Sequence, residues 1–346
     1  MMDLTAIRKY LVRQYPDAFE IDMVEAFQSL TQDLCRWIIL WNIRHCFDSL
    51  SLFPWTLCYL VWVLCTGFVM WCVFVLGHDC SHRVFSRNVW VNDIVGHVCH
   101  APLLVPFYPW AKSHRLHHQH TNDVEKDHSW RPIGRKWFNK MGRFAKMMRF
   151  SNMLLLSWPF YLVDDSPLGS GNHFWPWSRL FENQQERLQC VISNVSIVAF
   201  LVRLWQVTNA NPNEIVLYYF LPWVIFSMWL TGVTYLHHTT PQLSYYRKDG
   251  WNFLDGALGT MDRSYGRWIE PLHHWIGSGH VVHHLFYSRI PHYRLERATT
   301  IIKTLLADKY HQDPRPFWES FAESRDNCHV VHDTDRVVQY ERVTSF

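Results

Sequence analysis

Leu52–Gly77, LFPWTLCYLVWVLCTGFVMWCVFVLG, runs without a charged residue and is followed at once by His78-Asp-Cys-Ser-His82. At about 1.5 Å per residue a helix of this length exceeds the hydrocarbon core of a bilayer, roughly 30 Å. The segment therefore reads as a membrane span, with two histidines where lipid gives way to water. Two later stretches, Cys190–Trp205 and Glu214–Leu236, have the same character and are joined by the turn Thr208-Asn-Ala-Asn-Pro-Asn213. Two crossings return the chain to the side it left, so polar segments before and after the pair share one compartment. Arg203 weakens the first of the two but can snorkel from a helix end. Val89–Trp110 is apolar yet broken by Asn92, Asp93, His97, His100 and three prolines. Such polarity is unfavourable in lipid, so an interfacial or re-entrant segment is expected there. Leu34–Cys46 is too short and too charged to span and is expected to be the first arm of a hairpin with 52–77. Met153–Val163 is of interfacial length.

These segments predict an all-α integral membrane protein, a transmembrane helix bundle with a cytosolic helical cap. Its expected parts are a cytosolic amphipathic N-terminal segment at 1–33, a membrane-embedded domain at 34–300 and a cytosolic C-terminal tail at 301–346. The N-terminal region lacks the apolar core of a signal peptide and is rich in acids for a transit peptide, so no cleavage is expected. A net charge of +3 with no basic block interleaved with aromatics argues against nucleic acid. Basic residues instead flank the apolar segments, at Arg8-Lys9 and along Arg131–Arg149. The nine cysteines are scattered without CxxC spacing and read as reduced thiols.

Histidine carries the chemistry. Besides His78 and His82, the chain holds His114-Arg-Leu-His117-His118 and His280-Val-Val-His283-His284. Positions i, i+3 and i+4 share a helix face, so each group can aim its rings at one point. His238, one turn beyond Thr234, adds another. Nine imidazoles are too many for one metal and suit two; without thiolates they suit iron, copper, nickel or zinc, and open positions suit a redox metal that binds dioxygen. Any single histidine is more readily a satisfied core residue, but 18 of the 22 lie between 78 and 292, three groups of them patterned alike. His97, His100, His120, His128, His173 and His292 are read as structural, His100 being the best of them for orienting a ligand. Asp79 and Asp127 are expected to accept hydrogen bonds from ligand rings and fix their tautomers.

The three boxes resemble those of the membrane fatty-acid desaturases, HxxxH, HxxHH and HxxHH, at His78–His82, His114–His118 and His280–His284. Gly77-His-Asp-Cys-Ser-His82, Leu104-Val-Pro106, Val233-Thr-Tyr-Leu-His237-His238, Thr260-Met-Asp-Arg263-Ser-Tyr-Gly266 and Ile290-Pro-His-Tyr293 look like the methyl-end, omega-6 and omega-3, acyl desaturases. Asp79, His117-His-Gln119 with Val124-Glu and Ser129-Trp130, and the pair His237-His238 tilt the likeness to the omega-3 side.

The resemblance implies two irons held by His78, His82, His114, His117, His118, His238, His280, His283 and His284, with Thr234 holding a metal-bound water and dioxygen as co-substrate. It implies a cis double bond introduced toward the methyl end of an unsaturated acyl lipid or acyl-CoA. No His-Pro-Gly-Gly motif of a fused haem domain occurs, so cytochrome b5 with its reductase is the expected donor, or ferredoxin if the protein is organellar. The expected place is the endoplasmic reticulum membrane, multi-pass, with the site facing the cytosol. Arg131–Arg149 suits an acidic donor or anionic headgroups equally. Two departures stand out: Ser81 replaces a usual glycine, and Trp275 replaces a usual aspartate in a loop one residue longer before His280, which predicts poorer support for that ring. Rival readings are a fatty acyl hydroxylase on the same scaffold, an inactive family member and a non-catalytic metal-binding membrane protein.

Overall fold

The computed structural model describes residues 3–49, 51–151, 153–167 and 169–343; Met1, Met2 and Thr344–Phe346, the ends of the two expected terminal segments, lie outside the described residues. Among these the structure is helical, and three helices are long and apolar enough to cross a membrane: Leu52–Ser81, Gln184–Val207 and Pro212–His238. Each contains a segment expected to span. The last includes a π-turn at Val216–Phe220, just before Pro222, which has no N–H to give the carbonyl four residues back.

The chain forms two compact units interleaved in sequence, one of 22–111 and 172–230, the other of 1–21, 112–171 and 231–346. The expected boundaries at 33 and 300 instead fall inside the helices Met23–Ile43 and His292–Leu306. Local hydropathy marked where apolar residues become frequent, whereas a helix starts where its N–H groups find a cap. Asp22 provides one, accepting from the N–H of Val24 and Glu25.

In the first unit, Leu34–Cys46 is mostly the second half of Met23–Ile43, continued by a 3-10 turn at Arg44–Ser49, and it lies against Leu52–Ser81 as the arm of a hairpin. Trp62 on Leu52–Ser81 donates to Leu40 O at 2.7 Å, and Phe47, Tyr59, Trp62 and Val63 form a core cluster. The interrupted segment is a helix Val89–His100 ended by Leu104 in the left-handed conformation (φ 58°). Its polar groups turn inward: the Asn92 amide donates to Ser86 O and Asn88 O, and Asp93 pairs with Arg83 at 2.6 Å. Trp90, Ile94 and Val98, spaced by four, remain exposed. Satisfying the polar face within the protein is what permits such a segment beside lipid. The irregular carbonyls at its end are taken by side chains, Pro102 O by the Tyr219 hydroxyl and Leu103 O by the Trp223 indole.

Gly77 sets how closely Val89–His100 approaches. A Cβ there would lie 2.3 Å from the His100 ring and 3.0 Å from Cys99. Gly77→Ala should therefore destabilise the protein by about 1–3 kcal/mol through overpacking. Gly142→Ala, where nothing lies within 4 Å, should leave the thermal unfolding midpoint in detergent nearly unchanged.

In the second unit the N-terminal helix Leu4–Gln14 and the turn Pro16–Phe19 lead back to His292–Leu306: Tyr15 accepts from Arg294 at 3.2 Å, and Arg297 lies over its ring. The C-terminal region, expected to be a tail, is built into this unit through two-residue strands. Gln312–Asp313 runs parallel to Asp262–Arg263, Val337–Val338 pairs with Tyr245–Tyr246, and Val330–Val331 pairs with Tyr340–Glu341. Pairings so short leave no alternation to read in sequence.

Candidate metal centre

The second unit gathers seven of the nine expected ligands. His114, His117 and His118 lie on the helix Phe107–Gln119, His280, His283 and His284 on His280–Phe286, and His238 closes Leu221–His238. The rings sort into two groups. His118 Nε2 lies 3.1 Å from His114 Nε2 and 3.0 Å from His283 Nε2. One ring proton cannot bridge three nitrogens, so lone pairs converge there. In the other group, ring nitrogens of His117, His238 and His284 all lie within 4.8 Å of one another, and His280 Nε2 is 2.9 Å from His238 Nε2. Two imidazole ligands about 2.1 Å from one ion at right angles have nitrogens about 3.0 Å apart. The donor set fits a divalent transition metal in each group.

Tautomers in the second group are set by neighbours. Asp127 Oδ1 lies 2.7 Å from His117 Nδ1. A carboxylate only accepts, so Nδ1 carries the proton and Nε2 presents its lone pair. Burial pushes the Asp127 carboxyl up, but His117 and the N–H groups of Ser129 and Trp130 hold it below the usual range. Thr121 donates its hydroxyl to His117 O at 2.9 Å and so accepts from His284 Nδ1 at 3.1 Å. That leaves His284 Nε2 deprotonated, and it is buried with no hydrogen-bond partner among the described residues. Burial, reinforced by neighbouring imidazoles, pushes His280 and His284 well below the usual range and keeps them in the neutral form that binds metal. Thr121→Val removes the acceptor with little change of shape. It should weaken metal binding about 10-fold, read by metal titration of the purified protein.

The first unit holds the remaining pair. His78 and His82, at the end of Leu52–Ser81, have Nε2 atoms 3.2 Å apart. Two expected orienting residues do otherwise. Asp79 Oδ1 is 3.7 Å from His78 Nδ1, too far for a hydrogen bond. His100 stacks on Phe74 and turns Nε2 to Phe74 O at 3.2 Å, fastening its own helix to the span. Thr234 lies one turn before His238, its hydroxyl 3.5 Å from Thr231 O.

In the loop before His280, His274 and Trp275 are two consecutive left-handed residues (φ 61° and 59°). Buried Glu270 ties it together, accepting from the N–H of Tyr265 and from both the N–H and hydroxyl of Ser278. His280 Nδ1 is buried without a hydrogen-bond partner among the described residues. The backbone is held instead: Asp262 accepts from Val281 N–H at 2.8 Å at the start of the box helix.

Thr121, Tyr245 and Glu270 thus serve the ligands without having been singled out from the sequence. Tyr245 donates to His238 O. Thr121 was within reach of the spacing rule, four residues after His117. Glu270 acts on segments folded back from elsewhere.

Residues 54–315 match the model of the fatty acid desaturase family. The chain is 36% identical over 329 residues to an sn-1 acyl-lipid omega-3 desaturase (ferredoxin) of Nostoc sp., covering 94% of this chain and 88% of that one. It is 40% identical over 326 residues to the protein of the same name from Synechocystis sp., with the same coverage. It is 39% identical over 332 residues to an omega-3 fatty acid desaturase, endoplasmic reticulum, of Nicotiana tabacum, covering 92% and 84%. Histidine boxes, converging ring nitrogens and likeness over nearly the whole chain agree: this protein belongs to the fatty acid desaturase family.

Proposed function

We propose that the protein is an oxygen-dependent omega-3 acyl-lipid desaturase whose two irons are held by the nine histidines His78, His82, His114, His117, His118, His238, His280, His283 and His284, those of the second unit falling into the groups His114, His118, His283 and His117, His238, His280, His284. The observation that carries this reading is the sorting of imidazole nitrogens into two groups, in a chain whose relatives bear omega-3 names. The reaction consumes dioxygen, two electrons and two protons, takes two hydrogens from adjacent methylenes and releases two waters. Bound iron supplies the activation of dioxygen that attack on an unactivated C–H bond requires. The chain's part is to hold the ligand lone pairs in place and keep bulk water out. Asp127 and Thr121 fix two rings, and the buried state of His117, His118, His238, His283 and His284 provides the dry surroundings.

The donor follows the compartment. In the endoplasmic reticulum, with the site toward the cytosol, it is cytochrome b5 with its reductase; in an organelle it is ferredoxin. The relatives' names include both ferredoxin and endoplasmic reticulum forms.

Expression of the chain in yeast fed oleate or linoleate separately, followed by mass-spectrometric location of double bonds, tests the assignment. A new omega-3 bond in linoleate is expected. A bond only at omega-6 of oleate, or a hydroxylated product, would overturn it.

A further inference from the structure

Met261, Asp262 and Arg263 bond to the helix that ends in His238 and to the helix His280–Phe286, and each holds one of them. Met261 N–H donates to His237 O at 2.9 Å, and its carbonyl receives the His237 ring Nδ1. Asp262 Oδ1 takes the N–H of Val281 at the first turn of the helix bearing His280, His283 and His284. Arg263 Nε donates to Leu236 O at 3.0 Å, within the last turn of the helix that ends in His238. These three residues therefore fix the separation of His238 from His280 and His284.

The strap is itself anchored on one side by the N–H of Arg263, which donates to Gly277 O at 3.1 Å, and on the other from the C-terminal region. Asp262–Arg263 pairs in parallel with Gln312–Asp313, and Tyr310 donates its hydroxyl to Asp262 Oδ2. Arg263 meets Asp313 at 2.6 Å, both side chains being buried. Asp313 is held in turn by Arg315 at 2.8 Å and by the Ser320 hydroxyl at 3.0 Å. A buried cation stays in place only while its counterion does.

We propose that Arg263 and Asp313, anchored by Tyr310–Arg315, are positioning residues that set the geometry of the His117/His238/His280/His284 metal site, giving the C-terminal segment control of one of the two ions. The proposal rests on the two-metal reading above. The hydrogen bonds of these residues go to backbone and to other side chains rather than to ligand rings, so the effect passes through backbone carbonyl and amide groups and falls on one site of the two.

The test is a metal titration of the purified full-length protein in detergent with ferrous iron under anaerobic conditions, comparing the unaltered chain, Asp313→Asn and Tyr310→Phe. The unaltered chain should bind two ions. Asp313→Asn should bind one ion as before and the second about 10–100-fold more weakly, the range seen when the support of a metal ligand is lost. Tyr310→Phe, which keeps the ion pair and removes one hydrogen bond from Asp262, should weaken the same ion several-fold and serves if Asp313→Asn does not fold. With His114→Ala added, the ion that remains should be the weakened one. Two equally tight ions in a folded Asp313→Asn or Tyr310→Phe protein, or equal weakening of both, would overturn the proposal. An unaltered chain that binds no iron would overturn the two-metal reading, and the proposal with it.

Discussion

Replacing His118 by alanine should lower desaturation by more than about 100-fold and abolish the rise in thermal stability that bound metal provides. The lower bound follows from the 10–100-fold cost of losing a residue that merely orients a ligand; losing a ligand itself costs more. His118 holds the central place in its group, its Nε2 about equally distant from His114 and His283. Its ring also stacks on Tyr287 with centroids 4.6 Å apart, so alanine leaves a gap and some destabilisation of the metal-free chain. The two effects separate in a thermal melt. Anything that binds only the folded state raises its stability by mass action, so the metal-dependent increment should shrink or vanish whatever the baseline does. A melt that still rises fully with added ferrous iron would remove His118 from the ligand set.

Asp127→Asn should weaken metal binding by about 10–100-fold and destabilise the fold by about 1–3 kcal/mol. Asp127 Oδ1 accepts from His117 Nδ1 and from the N–H groups of Ser129 and Trp130, and Oδ2 accepts from the N–H of Asn122 at 3.1 Å. An asparagine has nearly the same shape but presents an NH2 to one of those donors. Either Asn122 loses its acceptor or His117 loses its tautomer lock. Metal affinity and unfolding midpoint, measured on the same preparation, should both fall. Loss of stability with unchanged affinity would make Asp127 a loop residue only.

Asp79 and Asp127 show what sequence could and could not tell. Both are acids near a box, and both were expected to orient rings. Asp79 follows His78 directly, and adjacent helix positions face different directions. Asp127 lies beyond the helix end, where left-handed Asn122 (φ 60°) helps the chain turn back. Spacing along a helix is legible; a return path set by one backbone conformation is not. The spans were legible for a simpler reason, since uninterrupted apolar length excludes most alternatives, and Asn-Pro chemistry marked the turn at 208–213. The boxes were legible because a metal site on a helix must use i, i+3 and i+4.

What escaped the sequence joins residues far apart in it. Val281 and Asp262 are 19 positions apart, Arg263 and Asp313 are 50 apart. Neither pair leaves a periodicity, and a two-residue strand is too short to alternate. The helix Met23–Ile43 escaped because its first half is amphipathic and its second half apolar, so composition divided what one cap had joined.

The most direct test of the account is the metal content and oxygen consumption of the purified full-length protein. Two irons per chain are expected, with dioxygen taken up only when reductant and an unsaturated acyl lipid are both supplied, and a matching yield of the omega-3 product. Bound zinc, or two irons with no oxygen uptake in the presence of both, would contradict it.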